Sequence, residues 1–189
     1  MEQENVRRVT DLASLKAVAH PLRVRMLGAL RMEGPATASD LARKLGESSG
    51  ATSYHLRQLA RYGFIEEDPE QPNARDRRWR AVHRYTSWTE SDFANDPEGR
   101  EATHWLRVQQ REMLARNAER FEAEDWSAQW RDAAGQSDDF ARLSPTTLRE
   151  LSDRVIALIR EYASRDADAP DAEPVSIFLA AYPRKGPPR

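Results

Sequence analysis

The apolar residues between Thr37 and Gly63 follow a helical period, broken once by a short polar gap. Thr37-Ala38-Ser39-Asp40 is a capping box, in which the hydroxyl and the carboxylate satisfy each other's orphan helix amides. It predicts a helix beginning near Ala38, with Leu41, Ala42 and Leu45 on one side. Gly46, which takes the left-handed conformation without steric cost, ends it. After at most three residues of turn, Ser48 or Ser49 caps a second helix whose apolar face, Thr52, Leu56 and Leu59, runs to Gly63. Two short helices joined by a tight glycine-containing turn predict a helix-turn-helix.

The period then changes from 3.6 to 2. Phe64–Asp68 and Arg77–Val82 read as two strands, with the turn-rich tip Pro69-Glu70-Gln71-Pro72-Asn73 between them. Alternation sets Trp79 opposite Arg78 and Arg80, so the indole is expected to pack on the helices while the guanidinium groups reach outward. Glu66, Glu67, Asp68 and Asp76 are close enough in sequence to neutralise part of this patch.

In a helix-turn-helix the second helix enters the major groove with its N-terminal residues nearest the base edges. Gly50, Tyr54 and Arg57 point away from the Thr52-Leu56-Leu59 face, and Ser49, Ser53 and His55 flank them. Ser49, Gly50, Ser53 and Tyr54 are therefore candidates for base reading or close backbone approach, with His55 beside them. Arg57 is better placed for phosphate. Arg75, Arg77, Arg78 and Arg80 of the hairpin complete the candidate double-stranded DNA surface, since a planar, permanently charged guanidinium suits phosphates and narrow minor grooves.

The segments Leu15-Lys16-Ala17-Val18-Ala19-His20-Pro21-Leu22-Arg23-Val24-Arg25-Met26-Leu27, Ser53-Tyr54-His55-Leu56-Arg57-Gln58-Leu59 and Gly63-Phe64-Ile65-Glu66 resemble the ArsR-like winged-helix transcriptional regulators. The resemblance covers roughly residues 10 to 85. It implies a dimeric, repressor-type winged helix, with a helix near Asp11 to Ala19 and another after the wing building the homodimer. Metal-sensing relatives use cysteines, and this chain has none, which excludes a thiolate sensor or a disulfide switch. Glu101-x-x-His104 has ligand spacing but no clear partner, so no metal site is assigned. His20 and His83 are expected to cap or pack locally.

Beyond Trp88 the helical period returns. A long helix is predicted from about Glu98 to Glu124, uninterrupted by proline and carrying Ala102, Trp105, Leu106, Gln109, Met113 and Phe121 near one face. A second starts with Ser144 as N-cap and Pro145 in the first turn, and carries Leu148, Leu151, Val155, Leu158 and Tyr162 at 3-4-3-4 spacing. That stripe wants a partner, either its copy in a dimer or the long helix of its own chain. Pro174–Tyr182 reads as a buried strand, followed by a disordered Pro-, Gly- and Arg-rich tail. The fold class expected is mainly α with a small β-hairpin: a winged helix-turn-helix domain over residues 1–88, then a helical dimerisation or effector extension over 89–189 that ends in a strand. Trp88, Trp105, Trp126 and Trp130 either line a pocket for a small-molecule effector or fill a core.

Charge refines this division. The chain of 189 residues carries a net charge of -2, which at first argues against a nucleic-acid partner. Residues 1–88, however, hold 15 Lys and Arg against 11 Asp and Glu, leaving 14 against 20 for the rest. The basic surplus travels with the reading helices, and salt-sensitive binding of ordinary strength is expected. No catalytic residues or cofactor are assigned: there is no cysteine nucleophile, glycine-rich phosphate loop or paired-histidine helix. The different-class alternative is a winged-helix protein–protein interaction module without DNA binding. With no apolar leader and no run long enough to span a bilayer, a cytoplasmic protein without membrane contact is expected.

Overall fold

The computed structural model describes residues 6–71, 77–165 and 169–185. In chain order the elements are β1 (Val6–Val9), α1 (Leu12–Val18), α2 (Pro21–Met32), β2 (Ala36–Thr37), α3 (Ala38–Leu45), α4 (Ser49–Arg61), β3 (Ile65–Glu67), β4 (Arg78–Ala81) and β5 (Tyr85–Trp88). They continue with α5 (Glu90–Phe93), α6 (Pro97–Ala123), α7 (Ala128–Ala133) and α8 (Pro145–Arg165). The chain divides into two compact units, Met1–Met113 and Leu114–Arg189.

Local signals set the helix ends of the first unit. Thr37 and Asp40 form the reciprocal capping box, and Gly46 closes α3 with φ of 69°, a conformation strained for a side-chain-bearing residue. Ser48 caps α4, its Oγ accepting the Ala51 N–H at 3.2 Å. The wing is a three-stranded antiparallel sheet in the order β2-β4-β3, with Glu66 opposite Arg80 and Glu67 opposite Trp79. A second, parallel pair joins β1 to β5, from Val6 opposite Tyr85 to Val9 opposite Trp88. The sequence pattern did not predict this pair, because β1 is charged and buries only Val9.

One core holds the unit together. Leu15 of α1, Met26 of α2, Leu41 of α3, Leu56 and Leu59 of α4 and Phe64 after it are all within 1% of complete burial. Trp79 packs into this core from the wing, as alternation predicts. Phe93, Ala102 and Leu106 join it from α5 and the first turns of α6. Gly99 permits that approach, since a Cβ there would lie 2.9 Å from Phe93 Cβ. Arg31, near the end of α2, donates to the His83 carbonyl at 2.9 Å and to Thr86 Oγ1 at 2.7 Å, and burial brings its pKa down to about 10. It staples α2 to the segment leaving the wing.

The second unit is different in kind. None of its described residues is buried. Phe121 stacks on Trp126 with centroids 5.9 Å apart, and Trp130 meets Trp126 edge-on at 6.0 Å. Ser144 caps α8, accepting the Thr147 N–H at 3.1 Å. The stripe on α8 remains half-buried at Leu148 and Val155 and exposed at Leu151, Leu158 and Tyr162. The strand expected over Pro174–Tyr182 is corrected: those residues are in no regular element, and Val175, Ile177, Leu179 and Tyr182 are exposed. A strand needs a ladder partner for its amides and carbonyls, and none of the described strands pairs with this segment. Residues 186–189 of the expected tail lie outside the described residues.

Candidate nucleic-acid interface

The candidate surface is built on α4, whose seat is fixed by Thr52. This residue is fully buried, and its hydroxyl donates to the Ala38 carbonyl at 3.0 Å, with the Ser48 and Ser49 carbonyls also within reach. The start of α4 is thereby tied to the start of α3. The sequence pattern places Thr52 on the apolar face, and the structure adds that its polar atom is what joins the two helices. Leu56 and Leu59 continue the buried side one and two turns on.

The opposite side faces solvent. Ser49, Gly50, Tyr54 and Arg57 are exposed, Ser53 and His55 half-buried. The Arg57 Nε donates to the Ser53 carbonyl one turn back at 3.2 Å, holding the guanidinium along the helix. With Ala51 N–H taken by Ser48 and Thr52 N–H by the Ser48 carbonyl, the amides of Ser49 and Gly50 are the first-turn donors left without an intrahelical acceptor. Free amides and the positive end of the helix dipole favour an anion there, and the small residues allow it to come close.

The wing is less basic than its composition suggests. Arg80 pairs with Glu66 at 2.6 Å, Arg77 with Glu67 at 3.1 Å and Arg78 with Asp68 at 3.8 Å. Three acids of one arm face three cations of the other. Arg77 and Arg80 are exposed, but Arg78 departs from the outward placement expected of it: it is half-buried and donates to the Pro35 carbonyl at 2.8 Å. Its reach is used to fasten β4 to the β2 edge. Arg75 lies outside the described residues.

The four tryptophans considered for a pocket, Trp88, Trp105, Trp126 and Trp130, fall in different units. Trp88 and Trp105 are half-buried against the core of the first, while Trp126 and Trp130 stack with Phe121 in the second. Glu101 and His104 are both exposed, and among the described residues no group of three or more His, Cys, Asp or Glu side chains is placed to share a metal ion. No helix among the described residues is long and apolar enough to cross a membrane.

Two helices in tandem, the second anchored by its apolar side and open on the other, followed by a small antiparallel wing, define a winged helix-turn-helix DNA-binding domain. Residues 18–68 match the family model described as a helix-turn-helix domain, in agreement with this winged arrangement. No curated protein matches the chain. Among solved structures it is similar to HlyU from Vibrio cholerae N16961, at 25% identity over 39% of this chain and 75% of that one, with a TM-score of 0.34. It is also similar to the ArsR family transcriptional regulator RHA00566, at 23% identity over 55% and 88% with a TM-score of 0.32. A third is the adhesin competence repressor AdcR from Streptococcus pyogenes, at 16% identity over 76% and 81% with a TM-score of 0.33. The class rests on the family match and the fold, not on these likenesses.

Proposed function

We propose that this protein is a cytoplasmic, sequence-specific transcription regulator that binds a palindromic operator as a homodimer and acts as a repressor. The observation that carries the reading is the division of α4: Thr52, Leu56 and Leu59 buried and anchored, Ser49, Gly50, Tyr54 and Arg57 exposed along the other side. A rigidly seated helix with a small, amide-rich start and an arginine further along can enter a major groove and rest on its phosphates. The repressor sense is what the ArsR-like resemblance implies. Dimerisation is supported by the exposed stripe of α8, which suits a second copy of itself, and a two-fold dimer would present its reading helices to half-sites about one DNA turn, ~34 Å, apart. A small-molecule effector in the second unit belongs to the same reading, supported by the Phe121-Trp126-Trp130 stack.

Fluorescence anisotropy with duplexes tiling the protein's own promoter, repeated at rising salt, tests this. Binding to one duplex, with log affinity falling linearly against log salt, is expected. Tyr54→Ala should change which sequence is preferred, and Arg57→Ala should weaken binding to every sequence alike. Failure to bind any duplex at low salt rejects the reading.

One observation favours a protein–protein module instead: Glu66, Glu67 and Asp68 already pair with Arg80, Arg77 and Arg78 of the wing. The two readings part at Glu66→Gln. If the wing rests on DNA, freeing Arg80 tightens binding and steepens the salt dependence by up to about one unit of slope. If the wing serves a protein partner, DNA affinity does not change.

A further inference from the structure

Between α4 and α2 lies a cluster that joins His55, from the edge of the candidate DNA surface, to two residues outside it, His20 and Arg23. His20 is the N-cap of α2, where its Nδ1 accepts the Leu22 N–H at 3.2 Å. Its ring lies against that of His55 in α4, with centroids 4.4 Å apart. Arg23, in the first turn of α2, donates from Nη2 to the Lys16 carbonyl of α1 at 2.9 Å and reaches His55 Nδ1 from Nη1 at 3.4 Å. Three helices therefore meet on one arginine and two imidazoles.

The hydrogen-bond chemistry fixes the protonation of both rings. A backbone N–H and a guanidinium only donate, so each Nδ1 must offer a lone pair, and each neutral ring carries its proton on Nε2. Burial, and then the charge of Arg23, hold both imidazoles below the ordinary histidine range, while Glu47 partly offsets this at His55. The other charged or titratable groups are accounted for. Glu47 pairs with Arg25 at 3.6 Å, the Lys16 ammonium is turned to Glu98 at 2.9 Å, Tyr54 and Tyr62 act on Arg23, and Tyr54 meets the His55 ring edge-on at 5.1 Å.

We propose that His20, Arg23 and His55 are positioning residues for DNA reading, seating α4 on α2 through two neutral imidazoles, and that acid protonating either ring releases this seat and weakens operator binding. The proposal rests on the DNA-reading function above. A protonated His20 can no longer accept from Leu22, and a protonated His55 sets donor against donor at Arg23. The sign follows from linkage: the folded state resists protons that the unfolded chain takes up near pH 6.5, so stability is full above that range and falls as the solution is acidified through it. A bare gain of positive charge acts in the opposite direction, since it would tighten binding to phosphate. Weaker binding in acid thus separates a released seat from a surface-charge effect.

The test uses the full chain between about pH 7.5 and pH 5.5. Histidine side-chain nitrogen NMR reports the tautomers, thermal melting the stability, and anisotropy with the promoter duplex the grip. His20→Asn keeps a capping side chain that does not titrate, and His55→Gln keeps an acceptor for Arg23. We expect Nε2–H tautomers at both rings at pH 7.5 and, in the wild type, a loss of affinity of about tenfold on acidification. The loss should be flattened in the double variant, whose melting at pH 7.5 shows that it folds. Nδ1–H or charged rings at pH 7.5, affinity rising in acid, or the same pH profile in wild type and double variant would overturn the proposal. If no duplex binds at any pH, the DNA-reading function fails, and the effect on grip with it. The tautomers and pH-dependent melting then decide the seat alone.

Discussion

Two regions of this chain use apolar residues at similar spacing and bury them to opposite extents. In α4 the 3-4 pattern ends in Leu56 and Leu59 at 0% exposure, whereas in α8 the same kind of pattern leaves Leu151 at 47% and Leu158 at 52%. Both helices are amphipathic and both have a serine N-cap. What separates them is company: α4 lies in a unit where α1, α2, α3 and the wing converge on one core, while no described residue beyond Leu106 is buried. Periodicity says which side of a helix seeks cover, and the rest of the chain decides whether cover is found.

The most severe way to break the comparison is to empty the covered helix. Leu56→Ala removes a fully buried side chain at the centre of the reading unit, and its cost is expected at about 2–5 kcal/mol, the transfer term plus the cavity left behind. Urea unfolding of the full chain, followed by tryptophan fluorescence, measures it. The midpoint should fall with little change in slope. A loss below 1 kcal/mol would mean that the unit can collapse around the gap, and that the contrast with α8 is one of exposure and not of energetics.

Where the signals were local, the pattern could be read to the residue. Thr37, Asp40, Gly46 and Ser144 act on amides and carbonyls within a turn of themselves, so their roles follow from type and spacing alone. The exposed and covered sides of α4 were legible for the same reason. Long-range pairing was not. Strand β1 holds two arginines among four residues and gains its identity only from β5, almost eighty residues later. Arg78 sits on the outward side by alternation, but the β2 edge brings the Pro35 carbonyl within its reach. The over-read segment Pro174–Tyr182 is the converse, since an apolar run fits a strand only when another strand is there to pair with it. Likewise His20, Arg23 and His55 stand in separate motifs, and only the packing of α2 on α4 shows that they form one cluster.

A subtler break keeps the shape of the covered side and removes its one polar link. Thr52→Val preserves the branched side chain but deletes the hydroxyl that donates to the Ala38 carbonyl at 3.0 Å. Because that carbonyl begins a helix and keeps its intrahelical amide, the loss is one hydrogen bond and not a stranded acceptor, and about 1 kcal/mol is expected. The same unfolding experiment measures it, alongside anisotropy of the promoter duplex. If Thr52 sets the angle between α3 and α4, affinity falls by more than the stability loss accounts for. Equal binding by the valine variant would make Thr52 a packing residue only.

The smallest expected change in stability is at the uncovered helix, and it sharpens the comparison most. Leu158→Ala in α8 removes a side chain that is already half exposed, so the unfolding free energy of a single protomer should shift by less than about 0.5 kcal/mol. Its effect should appear in self-association. If the stripe zips against its copy, sedimentation equilibrium will show a dimer for the wild type and a dissociation constant raised about tenfold for the variant, the 1.4 kcal/mol expected when part of a leucine contact is lost twice across a two-fold axis. A wild-type dimer that the variant leaves intact assigns dimerisation to another surface and leaves α8 uncovered in the assembly as well. A loss of several kcal/mol in the protomer would show that the stripe packs within its own chain, and the contrast between α4 and α8 would then be one of degree.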